Sequence, residues 1–244
     1  MRRDSYVPIV VPAATPRTSS AIASHSFVSS NLMAPAWCNS ESSSGSFNGG
    51  SLLLGRGGAE RYALWVSGCR IRCPGCCNPA LFDKARGVAT STESLVDDIL
   101  RAQRRHGLEG LTVVGGEPLD QIKPLTALCQ ALRRRAPNLG ILVFTGYELD
   151  TLADSRTLRA LLTVVDTVVD GPFDVRLKEP PGGRRYLGST NQGLRHQTQR
   201  YADPRLWRGP NGAEIHLRPD GRVHACGHPD QVRVALRALR TPGG

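Results

Sequence analysis

The chain has 244 residues, 40% of them hydrophobic, with a formal net charge of +10. That length allows one large domain or two small ones around a sizeable core. No apolar run approaches the roughly 20 residues of a membrane span, the Pro-broken apolar run over residues 7–14 is too short for a signal peptide, and seven cysteines, three of them bunched, argue against a disulfide framework. The positive charge does not point to nucleic acid. Lys84, Lys123 and Lys178 are the only lysines, and the arginines that make up the rest are scattered over many segments. Short clusters such as Arg104-Arg105 and Arg133-Arg134-Arg135 fall near the ends of predicted helices, where cations suit the helix dipole. A basic face for an acidic protein partner stays open. The bunched thiols fit a reducing cytoplasm.

Residues 1–50 are rich in Ser, Ala, Pro and Gly and lack a sustained period, so they read as a disordered, dispensable tail. Met33 lies inside this tail as a second potential start, and Cys38 sits there apart from the other cysteines. Residues 55–61 form a flexible, Gly-rich approach to a first strand over residues 62–67.

At the C-terminal end of that strand lies Cys69-Arg-Ile-Arg-Cys73-Pro-Gly-Cys76-Cys77-Asn78. Thiolates bind soft metals and iron–sulfur clusters. Three cysteines spaced C-x3-C-x2-C would hold three irons of a cubane and leave the fourth open, just as a catalytic zinc site keeps one position free. A structural zinc knuckle on Cys69, Cys73, Cys76 and Cys77 is the alternative. It is disfavoured because adjacent Cys76 and Cys77 diverge and no second C-x2-C pair completes a ribbon.

Thr90-Ser-Thr-Glu93 has the form of a capping box, with Thr90 as N-cap of a helix reaching His106 and Leu95, Ile99 and Ala102 on one face. His106, just before Gly107, reads as a last-turn residue. A buried strand over residues 111–114 ends in Gly115-Gly116-Glu117-Pro118. A helix over residues 122–135 follows, with Cys129 on its apolar face. Then come a strand over 141–145, a helix over 148–162 and a strand over 164–169, ending in Asp170-Gly171-Pro172. This β-α repetition predicts an α/β fold with parallel strands under helices. In such folds the site lies at the strands' C-terminal ends, where the cysteine loop, the Gly115–Pro118 turn, Thr145-Gly146 and Asp170 all fall.

Residues 176–185 are charged and carry Pro180-Pro181-Gly182-Gly183, which reads as a mobile loop. Residues 214–226 read as a β-hairpin turning at Asp220-Gly221, and residues 230–240 as a short amphipathic helix. His216, His224, Cys226 and His228 offer metal donors there, although His216 and His224 also read as a plain cross-strand pair.

C-x3-C-x2-C is the cluster signature of the radical S-adenosylmethionine (SAM) enzymes. The wider set is Arg61-Tyr-Ala-Leu-Trp-Val, Cys-Pro-Gly-Cys with Asn78-Pro79, Gly115-Gly-Glu-Pro118, Phe144-Thr-Gly-Tyr147, Val169-Asp-Gly-Pro172 and Gly188-Ser-Thr-Asn-Gln192. Together these resemble the anaerobic ribonucleotide reductase activating enzymes, which are glycyl radical enzyme activases. The likeness covers about residues 55–200.

The resemblance implies a partial (β/α)6-type barrel over residues 51–200, with residues 201–244 as an extension packed on it. It implies a [4Fe-4S] cluster on Cys69, Cys73 and Cys76, with SAM chelating the open iron. Gly115 and Gly116 would let backbone approach the methionyl part. Glu117 would accept a bond from its amino group or orient the loop. Asp170 and Asn191 would contact ribose or methionyl groups, with a turn-forming role as the other reading of Asp170. The implied chemistry is reductive cleavage of SAM to a 5′-deoxyadenosyl radical, fed by a flavodoxin- or ferredoxin-type reductant. The implied partner is an anaerobic ribonucleotide reductase that receives a glycyl radical. Two other functions remain in view: radical chemistry on a small molecule or peptide, and a non-catalytic cluster or zinc protein. The chain departs from the family at Arg56-Gly57-Gly58-Ala59, where an acidic-Gly-Pro-Gly segment is common, and at Cys77, where an aromatic is common.

Overall fold

The computed structural model describes residues 8–12, 50–51, 60–152, 155–217 and 223–240. The rest of the predicted tail, the Gly-rich approach over 55–59 and the Asp220-Gly221 turn lie outside the described residues.

The strands are β1 (Ile9–Pro12), β2 (Gly50–Ser51), β3 (Arg61–Val66), β4 (Gly87–Thr90), β5 (Gly110–Gly115), β6 (Gly140–Phe144), β7 (Thr167–Asp170), β8 (Gly193–His196), β9 (Ala213–Leu217) and β10 (Val223–Gly227). The α-helices are α1 (Thr92–His106), α2 (Ile122–Arg135), α3 (Arg156–Leu162) and α4 (Pro229–Arg240). The main sheet runs β2-β3-β5-β6-β7-β8. Strands β3, β5, β6 and β7 are mutually parallel, and β2 and β8 close the edges antiparallel. The expected α/β class with a parallel sheet is therefore present.

Alternation along the strands divides the core in two. Leu64, Leu111, Val113, Ile141 and Val143 face α1, α2 and α3, which contribute Leu95, Ile99, Leu128, Leu132 and Leu161. Cys129 is fully buried among them, and burial pushes its thiol up to about 12, so it behaves as a small hydrophobe. On the other face Leu142 and Val169 meet Leu187, Tyr201 and Trp207 from the segment that follows β7.

Four expectations change. Within the stretch read as disordered, Ile9–Pro12 forms β1, antiparallel to β4, and Ile9 is buried in the main core. Its partner strand lies far along the chain, so no local period announces it. Helix α1 starts one residue later than the capping pattern suggested, because the N-cap is Ser91, whose hydroxyl accepts from Ser94 N–H at 3.0 Å. The helix over 148–162 divides into a 3-10 turn, Leu149–Leu152, and the shorter α3, which Ser155 caps through Leu158 N–H. The loop over 176–185 is tied down. The Arg184 guanidinium bonds the Glu179 carboxylate at 2.6 Å and the carbonyls of Gln192, Ser189 and Thr190 at 2.7–3.2 Å. The hairpin and terminal helix are present as β9, β10 and α4.

Candidate iron–sulfur site

The cysteine loop leaves β3 at Ser67 and closes on itself. Gly68 N–H donates to Leu81 O at 2.8 Å, and Cys69 N–H to Phe82 O at 3.1 Å. Inside this ring Cys76 N–H bonds Cys73 O at 3.1 Å. Arg72 takes a left-handed φ of +51°, which few non-glycine residues adopt, and thereby turns the chain between Cys69 and Cys73.

Cys69, Cys73 and Cys76 are half-buried free thiols, and Cys77 is exposed. Burial pushes Cys69 and Cys73 up. The Phe173 amide at the end of β7 donates to the Cys73 sulfur and opposes that rise. A hydrogen bond from the Cys77 thiol pulls Cys76 down to about 6 and pushes Cys77 up. Asn78 N–H adds a contact to the Cys76 sulfur at 3.4 Å. Among the described residues no three His, Cys, Asp or Glu side chains already converge on a point. The loop thus presents three soft donors in one closed segment, a donor set that fits an iron–sulfur cluster, and chain rotation must complete their convergence.

The Gly115–Pro118 turn docks directly on this loop. Gly116 N–H donates to Val66 O and Glu117 N–H to Gly68 O, both at 2.7 Å. A Cβ on Gly115, whose φ is +122°, would meet Val66 N at 2.4 Å, and one on Gly116 would meet Gly68 O at 2.3 Å. These glycines are required first for backbone-to-backbone contact between the two loops. Glu117 is 1% exposed. Its carboxylate accepts from Leu119 N–H at 2.8 Å, Thr145 Oγ1 at 2.7 Å and Gly146 N–H at 2.8 Å. Burial raises it to about 6 in spite of those donors. Glu117 therefore staples the end of β5 to the end of β6.

Asp170 and Asn191 sit further along the same rim. Asp170 is buried, and its carboxylate accepts from Leu149 N–H at 3.1 Å and from Arg195 Nε at 3.1–3.2 Å. Asn191 is exposed, and its Nδ2 donates to Pro172 O at 2.8 Å. The rim is continuous with the cysteine loop, since a Cβ on Gly146 would meet Ile71 Cδ1 at 2.8 Å and one on Gly75 would meet Val175 at 3.3 Å. A cleft of about 500 Å³ opens beside Cys69, lined by Arg70, Arg72, Phe82, Lys84, Asp120 and Gln121, and none of the five expected SAM-contact residues lines it.

Three rim residues escaped sequence reading. Asp120 accepts from Arg70 N–H at 3.0 Å, Arg70 Nε at 2.8 Å and the Tyr147 hydroxyl at 2.8 Å, binding the cysteine loop to the ends of β5 and β6. The second is Gln121, buried beneath the loop. Its Oε1 accepts from Val10 N–H at 2.6 Å, and its Nε2 donates to Ser67 O at 3.0 Å and Val10 O at 3.2 Å. The third is Arg195. The only sequence signal for Asp120 and Gln121 was their place just after the Gly115–Pro118 turn.

A parallel sheet whose C-terminal rim carries a closed three-cysteine loop is the framework of an iron–sulfur domain. Residues 53–195, more than half of the chain, match the family model described as a 4Fe-4S single cluster domain. The curated relatives are anaerobic ribonucleoside-triphosphate reductase-activating proteins. The Haemophilus influenzae protein is 34% identical over 145 residues, covering 56% of this chain and 87% of the relative. The Escherichia coli K12 protein is 32% identical over 144 residues, covering 57% and 90%. That of Enterobacteria phage T4 is 27% identical over 158 residues, covering 64% and 88%. The chain belongs to this family of activating proteins with a 4Fe-4S single cluster domain. None of its described helices is long and apolar enough to cross a membrane.

Proposed function

We propose that this chain is a radical SAM activase that installs a glycyl radical on an anaerobic ribonucleotide reductase. The observation that carries the reading is the joint between the closed cysteine loop and the Gly115–Pro118 turn, made by Glu117 N–H on Gly68 O at 2.7 Å. In this reading Cys69, Cys73 and Cys76 hold a [4Fe-4S] cluster. Gly115, Gly116, Glu117, Asp170 and Asn191 would bind SAM, and a flavodoxin- or ferredoxin-type protein would supply the electron in the cytoplasm. Residues 51–200 form a partial barrel of the radical SAM type, and residues 201–244 form an extension on it. Once bound, cluster and SAM supply the chemistry, a one-electron reductive cleavage that ends in 5′-deoxyadenosine and a radical on the substrate.

The chain's own residues orient and enclose. Glu117, saturated by three donors, fixes the height of the Gly115–Gly116 backbone, whose peptide edge is the surface offered to the methionyl group. Asp170 anchors the rim through Leu149 and Arg195 and reaches SAM through backbone placement. Asn191 is exposed and is the side chain free to meet a ligand from solvent. Cys69, Cys73 and Cys76 are only half-buried, which suits a site that must meet a glycine in another protein's backbone. The arginine-rich surface suits an acidic partner.

The test is electron paramagnetic resonance of reduced, cluster-loaded protein mixed with SAM and the reductase of the same organism, with 5′-deoxyadenosine quantified alongside. A glycyl doublet on the reductase is the expected outcome. Abundant 5′-deoxyadenosine without a protein radical at high reductase would turn the reading to a small-molecule or peptide substrate.

A further inference from the structure

The cleft of about 500 Å³ beside Cys69 is lined by none of the residues proposed to bind SAM, yet its floor reaches a proposed cluster ligand. Phe82 O accepts Cys69 N–H at 3.1 Å. The stem of Lys84 lies against the residue before Cys69, since a Cβ on Gly68 would meet Lys84 Cβ at 3.1 Å.

The walls are charged unevenly. Arg70 and Arg72 come from the cysteine loop and Lys84 from the 3-10 turn Lys84–Arg86, which ends in the exposed Arg86. The two carboxylates of the cleft are already engaged. Asp83 caps that turn, accepting from Ala85 N–H at 2.9 Å. Asp120 holds the Arg70 guanidinium and the Tyr147 hydroxyl, both at 2.8 Å. Among the described residues no carboxylate pairs with Arg72, Lys84 or Arg86. The half-buried Phe82 ring stands among these cations, its centroid 5.8 Å from the Arg72 guanidinium carbon. An aromatic side chain among unpaired cations suits the surface of an acidic protein, the ring as apolar anchor and the cations as steering charges.

Position chooses between acidic partners. A protein that receives the radical must approach SAM. A protein that gives the electron needs a short route to the cluster, and the cleft offers that route without touching the residues proposed for SAM.

We propose that this cleft docks the acidic one-electron carrier protein that reduces the cluster. The carrier is oxidised by one electron and the cluster is reduced by one, with no proton or atom transferred. The hydrogen bond from Cys69 N–H to Phe82 O joins the docking surface to a ligating residue. Because carrier and SAM use different surfaces, the carrier docks equally well with SAM bound. The proposal rests on the [4Fe-4S] cluster proposed for Cys69, Cys73 and Cys76.

The test uses the full chain loaded anaerobically with iron and sulfide, with a purified flavodoxin as the probe. Lys84→Glu with Arg86→Glu reverses two charges at the cleft. Arg104→Glu with Arg105→Glu reverses two exposed charges in the last turn of α1, outside the cleft. All three proteins should hold about four irons and be reduced equally fast by photoreduced 5-deazariboflavin, an uncharged reductant. Bleaching of the cluster by reduced flavodoxin at low salt should slow at least about tenfold in the cleft variant and less than about twofold in the α1 variant. The deficit should vanish at about 1 M salt, where the Debye length is about 3 Å. Surface plasmon resonance should show oxidised flavodoxin binding the cleft variant more weakly than wild type, and SAM should leave wild-type binding unchanged. Wild-type reduction by flavodoxin in the cleft variant, an equal loss in the α1 variant, or an equal loss with deazariboflavin would each overturn the proposal. Neither SAM cleavage nor a reductase enters these readings, so a failed docking and a failed glycyl radical transfer give different results.

Discussion

At the N-terminal ends of β3, β5 and β6, Arg61 is 0% exposed and finds a partner for every donor it has. Its Nε donates to Thr112 Oγ1 at 2.9 Å and its Nη2 to Leu111 O at 2.7 Å and Gly140 O at 3.2 Å, while its Nη1 pairs with Glu109 and the Tyr201 hydroxyl. At the C-terminal ends of the same strands the chain shows two bare glycines, a left-handed Arg72 and half-buried thiols. The contrast separates two tasks. One end spends a buried, fully satisfied charge on fixing the strands against one another. The other is held by backbone contacts and by the staples Glu117, Asp120 and Gln121, and its thiols stay half-buried. Stability and chemistry thus occupy opposite ends of the same three strands.

Four measurements test this division, beginning with the largest effect. Changing Cys69, Cys73 or Cys76 to Ser should drop iron from about four per chain to near zero, yet move the urea midpoint of the iron-free chain by less than about 1 kcal/mol in stability. Cys77→Ser should keep the iron. A large loss of stability in the iron-free chain would erase the division. Next is Arg61→Met, which leaves Glu109 without its buried partner and should cost about 3–5 kcal/mol, read by urea denaturation. Iron per folded molecule should stay unchanged.

Gln121→Leu comes third. It strands Val10 N–H and Ser67 O beneath the loop and should cost about 1–3 kcal/mol, and here iron retention on dilution should fall as well, because this staple supports the loop. The smallest effect concerns pH. Glu117 titrates at about 6 in the fold, above its ordinary 4.5, chiefly through burial. The folded chain therefore binds its proton more tightly than the unfolded chain. The stability this contributes is complete below pH 4.5 and is lost as pH rises through 6, a change on the order of 1–2 kcal/mol. Subtracting the pH–stability curve of Glu117→Gln from that of wild type should isolate this slope, and parallel curves would show that the carboxylate is not the group that titrates.

The legible parts of the sequence were those governed by neighbours. The β-α repetition over 111–169 and the placement of the cysteine loop follow from local period and from where parallel folds keep their sites, and α2 falls on the residues expected. What was missed depends on distant partners. Strand β1 is four residues long, with Ile9 buried in the core, and it exists because β4 lies beside it. Strand β8 pairs antiparallel with β7 across a long excursion and carries no period of its own. The break before α3 reflects a local contest that Ser155 wins by capping. At the site, residue type announced the thiols. The roles of Glu117, Asp120 and Gln121 rest on which amides lie opposite them, and that is a property of the folded rim.

Gln121 also bears on how the gene is read. The chain has methionines at positions 1 and 33, with β1 between them. A ribosome starting at the second would make a polypeptide with every cysteine of the loop but without Ile9–Pro12. Ser67 N–H, which bonds Val10 O at 2.9 Å, and the Gln121 carboxamide would then lose their strand partners directly beneath the loop. Removal of the segment before Met33 would thus loosen the cysteine loop from beneath.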